Sequence, residues 1–515
     1  MMITAHMVAD ALEPAIGRLA CVLPADVRAG LEAARQTETD PRGAVALGML
    51  CENARLAAAE GLPLCQDTGT VRVTLEVGPD VGVAGDVFSL VDEVVAREYT
   101  RLGLRASVVK DALTDRANTK DNTPAFCRLT CVDEPGAARL RVMLKGGGSD
   151  NACRVVMLPP SAGRAGVVAE VLRAVQEKAA NACPPLVVGV GVGSTFDHVA
   201  DLATRALFRE VGSPAPTPEA AELEAELAAA IRATGIGAGA QGGAATALAV
   251  HVLTAPSHIA ALPLAIELGC CALRRCTIDL REVAPAPEPA AESPADRAAQ
   301  LQQPQSAQLA PNWAKRLSLP LSREDVAALR AGDACTLTGE LFTLRDAGHA
   351  RLCAELDARG SDRPLPYGLD GAVIFYAGPT PASPNHPERP FGAVGPTTAS
   401  RMDAFAPRLF AAGVAGAIGK GSRSSEVARA CAESGCACFS AIGGAAALLG
   451  SCVTAAETIA YEDLGTEALR RIAVRDLPVT VAIDSRGTVF SPNAAAPMAG
   501  GSGQPTTSTP AEGER

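Results

Sequence analysis

Residues 284–311 read APAPEPAAESPADRAAQLQQPQSAQLAP, six prolines set among alanine, glutamine and serine. Such a segment has too few large apolar side chains to bury a core, and its prolines withdraw backbone donors from helix and sheet. It therefore reads as a linker that divides the chain into residues 1–283 and 312–492. The stretch 493–515, NAAAPMAGGSGQPTTSTPAEGER, has the same character and reads as a disordered tail. For 515 residues about two or three domains are expected. The split looks like two gene products joined into one chain.

Both regions alternate helical and strand patterns. Val168, Leu172, Val175 and Ala179 recur at helical spacing, Pro184-Pro185 stops the pattern, and LVVGVGV follows as a buried strand. Beyond the divide come strand-like GAVIFYAG, helix-like ASRMDAFAPRLFAAG, then VAGAIGKG, a helix from Ser424, and strand-like LPVTVAID. The expected fold class is α/β in two domains.

The apolar fraction is 48% but the aromatic fraction only 3%, so alanine and glycine are expected to pack backbones closely. A net charge of −11 argues against nucleic acid or anionic membranes as partners. A site for an anion must then gather its own cations. The uncharged run 235–266 is broken by His251, Pro256, His258 and Pro263, and reads as core with loops rather than a membrane span. Asp10, Glu13 and Asp26 interrupt any secretory h-region. Sixteen cysteines without an export signal point to a reducing, cytoplasmic compartment, and no CxxC pair supports a zinc ribbon or thioredoxin motif.

VVGVGVGSTFDHV stands where a dinucleotide fingerprint would, but Ser194 occupies the third glycine's place, so tight strand–helix packing explains the glycines better. Other polar groups keep uncommon company. LCQDTG sets Cys65 beside Gln66 and Asp67; RASVVKDAL holds Arg105; RANTKDNTP packs Arg116, Asn118, Asp121 and Asn122 together. LKGGGSDNA puts Gly146, Gly147 and Gly148 after Lys145, and a glycine run lets backbone N–H groups approach an anion. His258 lies in apolar APSHIAALP, and LGCCALRR joins Cys270 and Cys271 to Arg274. Later come Arg345 and His349 in TLRDAGHARL, Thr397 and Arg401 in GPTTASRMD, and Lys420 in AIGKGS. Singly each has a bland reading as buried thiol, core histidine, surface ion pair or helix cap.

Taken in order, CQDTG, DNTP, KGGGS, ACPP, HIAALP, CCALR, GELFTLRDAGH, FYAGP, GPTTASRMD and GKG closely resemble the class I, iron–sulfur-dependent fumarases and their relatives, the L-tartrate dehydratases and mesaconate hydratases. The resemblance runs from the motif of Asp67 to VTVAIDSRG, and the two regions look like that family's α and β subunits fused. It implies an N-terminal mixed α/β cluster-binding domain and a smaller, swivelling C-terminal β/α domain. It also implies Cys65, Cys183 and Cys270 as ligands of a 4Fe-4S cluster, with Cys271 the competitor for the third place. Cys270 is preferred because its spacing to Arg274 fits the C-x-A-x-R pattern.

Three thiolates leave one iron free to act as a Lewis acid. The implied reaction is reversible hydration of fumarate to L-malate, with L-tartrate dehydration or mesaconate hydration as alternatives and a non-catalytic iron–sulfur sensor as a different class. Thr397 with Asp67 would move the C3 proton. Gln66, Arg105, Gly146, Gly147, Gly148, His258, Arg345, Arg401 and Lys420 would bind a C4 dicarboxylate, and a homodimer is implied. Two departures stand out: Asp150 replaces the family's usual Glu, and no proline stands near Ala238 in GAGAQGG.

Overall fold

The computed structural model describes residues 1–282, 311, 313–359 and 364–492. The expected linker up to 310 and the expected tail 493–515 lie outside the described residues. The architecture is mixed α/β in two regions.

Strand β1 (Met2–Ile3) leads into helices α1 (Ala5–Cys21), α2 (Ala25–Thr37) and α3 (Pro41–Glu60). The sequence dictates both ends of α3. The Asp40 carboxylate accepts from the Arg42 and Gly43 N–H groups, Pro41 fits the first turn, and Gly61 at φ +63° ends the helix in the left-handed conformation. Leu47, Leu50, Ala54 and Ala57 form its buried face. Past Gly61, residues 62–69 carry Cys65 into β2 (Thr70–Val77), whose Val71, Val73 and Leu75 alternate into the core.

Next come β3 (Gly82–Val83), α4 (Val91–Arg101), β4 (Phe126–Cys131), β5 (Ala138–Lys145), the single turn α5 (Gly147–Asp150) and β6 (Arg154–Leu158). Helix α6 (Gly163–Ala182) then runs into β7 (Leu186–Ser194), as its periodicity and the Pro-Pro stop predict. α7 (Val199–Leu207), α8 (Pro218–Ala233), β8 (Ala247–Ser257), β9 (Leu262–Gly269) and β10 (Arg274–Asp279) complete this half. One four-stranded sheet has the order β10-β5-β2-β4, a second β6-β9-β7-β8, and β1 pairs with β3 in a two-stranded sheet. The glycines of β7 serve close packing: a Cβ on Gly189 or Gly191 would stand 2.4 or 2.5 Å from a carbonyl oxygen of α7.

The C-terminal half is built on β11 (Lys315–Ser318), β12 (Ala334–Thr343), β13 (Val373–Phe375), β14 (Gly416–Gly419), β15 (Ala437–Ser440), β16 (Val453–Ala460) and β17 (Leu469–Ile483). β12, β13, β14 and β15 pair in parallel, and β17 pairs with both β12 and β15, closing these strands into a ring. Helices α9 (Arg323–Ala328), α10 (Asp346–Arg359), α11 (Ala406–Ala411), α12 (Ser425–Ser434) and α13 (Ala446–Ser451) lie among these strands in the chain. The segment read as one helix, ASRMDAFAPRLFAAG, divides into a 3₁₀ turn over Ala399–Met402 and α11. Pro407 favours a fresh helix start and opposes continuation.

One core cluster spans the two halves, while others lie within a single half. Leu47, Leu50 and Ala54 of α3 cluster with Cys183 and Cys271 and with Ile442, Ala445 and Leu448 from beyond the divide. Among the described residues no helix is long and apolar enough to cross a membrane.

Candidate active site

Strand pairing brings three distant cysteines to one place. β7 and β9 run antiparallel with Val187 opposite Gly269, so the start of β7 and the end of β9 lie side by side. Cys183 caps α6 just before β7, and Cys270 follows β9. The Cys271 N–H donates to the Cys183 carbonyl oxygen at 3.0 Å, fixing the two turns together. Cys183 adopts φ 61°, ψ 78°, a left-handed conformation that is uncommon for a residue with a Cβ. Cys65 arrives from the segment between α3 and β2. Burial pushes its thiol up to about 11, opposed chiefly by the Arg274 guanidinium, and the Cys270 and Cys183 sulfurs lie close enough to contribute. The Cys271 thiol is buried beside the same three sulfurs and meets the Gly443 carbonyl oxygen at 3.6 Å.

Asp67 sits beside this chamber. β2 pairs with β5 so that Thr70 faces Lys145, which sets Asp67 against the glycine run. Its Oδ2 accepts from the Gly147 N–H at 2.9 Å, and its Oδ1 stands 3.2 Å from an Arg105 guanidinium nitrogen. Burial alone would raise the carboxyl, but Arg105, then Arg274 and the Gly147 N–H, outweigh it and hold the group below the usual carboxylate value. In this arrangement the glycine run holds Asp67.

The C-terminal half delivers its residues from the carboxyl ends of parallel strands, the usual place for a site in parallel sheets. Arg345 follows β12, Gly378 follows β13, Lys420 follows β14 and Gly443 follows β15. Arg105 crosses the junction to donate to the Gly378 carbonyl oxygen at 2.8 Å. A Cβ on Gly378 would stand 2.9 Å from Arg345 Nη1, so the two guanidinium groups gather at this glycine. Burial, then Arg105, push Arg345 down to about 10, and among the described residues its Nε has no hydrogen-bond partner. Lys420 Nζ donates to Cys183 Sγ at 2.7 Å. Burial disfavours its ammonium, but Cys183, Cys65 and Cys270 together raise it above an ordinary lysine.

Gln66 is buried; its Oε1 accepts from Cys65 Sγ at 3.4 Å and its Nε2 donates to the Pro396 carbonyl oxygen at 3.3 Å. Thr397 is held by its N–H to the Tyr376 carbonyl oxygen at 2.7 Å and by its own carbonyl oxygen accepting from the Lys420 N–H at 3.1 Å. Among the described residues its hydroxyl has no hydrogen-bond partner.

Two expected residues stand apart. Arg401 is largely exposed and ion-paired with Asp346 at 2.6 Å. His258 lies exposed in the β8–β9 turn, at the opposite end of β9 from Cys270, about 25 Å away at the rise of a strand. Within one chain it does not join the others. Asp150, Cys153 and Glu267 also approach one another. Arg72 already pairs with Asp150 at 2.5 Å and Glu267 at 3.0 Å, and Lys145 reaches Glu267 at 3.3 Å, so protein cations balance that group.

The chamber suits an anionic iron–sulfur group on three grounds. Its donors are thiols on three separate loops, the preferred ligands of such clusters. Arg274 is 1% exposed, yet among the described residues its Nε and Nη1 have no hydrogen-bond partner. A Cβ on Gly443 or Gly444 would stand 2.3 Å from the sulfur of Cys183 or Cys271, so the facing wall has no room for a side chain. The sequence reading passed over Arg274 as a site residue, although its fixed distance from Cys270 was the signal. It also missed Gly443 and the Gly378 carbonyl, which only the fold brings to the chamber.

The sequence profile of the family described as Fumarate hydratase (Fumerase) matches residues 9–279, and that of Fumarase C-terminus matches 288–493. The L(+)-tartrate dehydratase subunit alpha of Escherichia coli (strain UTI89 / UPEC) is 32% identical over 259 residues, 50% of this chain and 85% of that protein. The Putative L(+)-tartrate dehydratase subunit alpha of Methanocaldococcus jannaschii is 34% identical over 275 residues, 52% of this chain and 95% of that protein. The chain therefore belongs to the class I fumarate hydratase family of hydro-lyases, the family that includes the L-tartrate dehydratases, with both characteristic parts in one polypeptide.

Proposed function

We propose that the chain catalyses the reversible hydration of fumarate to L-malate, with Cys65, Cys183 and Cys270 holding a 4Fe-4S cluster. The observation that carries this reading is the meeting of those three thiols with Asp67, Arg105, Arg345 and Lys420 at one junction. When bound, the cluster would supply a Lewis-acidic iron that no protein thiolate occupies.

The chain's own residues do the rest. Removing the C3 proton puts a second negative charge on the adjacent carboxyl group, and fixed cations stabilise that charge best in a site poor in water. Arg105 and Arg345 are buried with their guanidinium groups close together, so an incoming carboxylate relieves their repulsion as well as pairing with them. Gln66 and the Gly146–Gly148 backbone are assigned to orienting the substrate. Arg401, exposed and tied to Asp346, would have to turn inward to bind it. Thr397 Oγ1 is assigned to the C3 proton. Asp67, kept ionised by Arg105, is an acceptor that shapes the field around that hydroxyl. A homodimer and a reducing, cytoplasmic setting are proposed with this reading, and His258 would reach such a site only from a second copy of the chain.

Replacing Thr397 by alanine should lower kcat about a hundred- to ten-thousand-fold while the visible cluster spectrum is retained. Unchanged turnover would remove Thr397 from the mechanism. A second reading, L-tartrate dehydration, is favoured by the names of the relatives that match the N-terminal half. Initial rates with fumarate, mesaconate and L-tartrate on one oxygen-free preparation discriminate: the highest kcat/KM belongs to fumarate on the first reading and to L-tartrate on the second.

A further inference from the structure

We propose that Arg274 is a positioning residue of the cluster chamber: one of its N–H groups holds the Cys65–Asp67 segment, and its two unpartnered nitrogens face the anionic group that the three cysteines hold. The inference rests on the reading of those cysteines as cluster ligands.

Arg274 opens β10 opposite Leu144, at the end of the sheet where the glycine run begins. Its Nη2 donates to the Asp67 carbonyl oxygen at 2.8 Å. With 1% exposure and two orphaned nitrogens, it is a buried cation whose hydrogen bonding is mostly unfilled. A guanidinium in that state is strongly destabilising unless an anion meets it. The neighbouring protein groups do not supply one. The Asp67 carboxylate is already engaged by Arg105 and by the Gly69 and Gly147 N–H groups. Tyr99 uses its hydroxyl to donate to the Thr68 and Gly69 carbonyl oxygens, and burial keeps Tyr99 and Cys21 neutral.

What remains is the thiolate side of the chamber: Arg274 holds the Asp67 carbonyl oxygen two residues from Cys65 and follows Cys270 by four residues. Hydrogen bonds to cluster sulfur and nearby charge tune a cluster's reduction potential and retention. Arginine suits the task because its planar fork can grip a backbone carbonyl and still present other donors, which a lysine ammonium does less well.

The test uses the full chain, reconstituted with iron and sulfide without oxygen, as wild type, Arg274→Lys and Arg274→Met. Iron and sulfide per chain, the midpoint potential and the rate of bleaching in air are measured, with circular dichroism to check folding. The expected result is a midpoint moved to lower potential in Arg274→Met and about tenfold faster bleaching, with Arg274→Lys in between. If Arg274→Met fails to fold, Arg274→Lys alone decides by its shifted midpoint and faster bleaching. Wild type that holds a cluster alongside variants with the same midpoint and bleaching rate overturns the role of Arg274 alone, even if their KM for fumarate rises. Wild type that takes up no cluster overturns the reading of the cysteines, and this inference with it.

Discussion

Asn53 ties the two halves together directly behind the chamber. It lies on the buried face of α3, 1% exposed. Its Nδ2 donates to the carbonyl oxygen of Leu64, the residue before Cys65, at 3.0 Å. Its Oδ1 accepts from the Leu448 N–H in the first turn of α13, also at 3.0 Å. Asn53→Ala removes both partners and leaves a buried carbonyl and a buried N–H unsatisfied. Each such group destabilises by about 1–3 kcal/mol, and since neighbouring losses do not simply add, a total of about 2–4 kcal/mol is expected. The assay is urea unfolding of the full chain followed by circular dichroism, with Asn118→Ala as control. Asn118 Nδ2 reaches the Ala106 carbonyl oxygen at 2.9 Å on an exposed loop, so that variant should lose less than about 1 kcal/mol. An Asn53→Ala protein that unfolds at the wild-type urea concentration would refute the cross-junction tie.

Gly443→Ala places a Cβ 2.3 Å from Cys183 Sγ and 3.1 Å from Lys420 Cδ, so it should reduce iron bound per chain without unfolding the protein. Gly48→Ala, where a Cβ on α3 meets nothing within 4 Å, should stabilise by about 0.5–1 kcal/mol and leave iron binding alone. Arg105→Lys cannot bridge Asp67 and Gly378 together and should lower kcat/KM about ten- to a hundredfold in a fumarate assay. Burial holds His349 down to about 4 from 6.5, so between those values the unfolded chain binds a proton that the native one refuses. Stability is then fully present above about pH 6.5 and falls by about 3 kcal/mol on acidification to about pH 4; urea midpoints for His349→Phe should show a flatter slope over that range.

Periodicity and punctuation were legible where one face of an element is apolar and its ends carry signals. α6 and β7 follow from helical spacing broken by Pro184-Pro185; Val175 and Ala179 are buried as the spacing predicts, while Val167, Val171 and Ala174 take the buried places expected of Val168 and Leu172. LPVTVAID shows only the end of β17, which starts at Leu469, because Arg470, Arg471, Arg475 and Asp476 mask its alternation. The candidate site was legible as a set of residue types in order. Their partners were not, because they depend on register. Sequence order cannot show that Thr70 faces Lys145, which turns the Gly147 N–H onto Asp67, or that the Cys271 N–H meets the Cys183 carbonyl. Nor does it show that the β8–β9 turn carries His258 away from Cys270. A buried arginine with empty donors looks in sequence like any other arginine, so the spacing that ties Arg274 to Cys270 does not by itself mark it as a site residue.

The central claim is that Cys65, Cys183 and Cys270 hold one cluster between them. The direct measurement is iron and acid-labile sulfide in oxygen-free, reconstituted wild type beside Cys65→Ser, Cys183→Ser, Cys270→Ser and Cys271→Ser. The account predicts about four iron and four sulfide per wild-type chain, near-complete loss in the first three variants, and retention in Cys271→Ser. Wild type without iron, or any of the first three variants keeping the full complement, would contradict it.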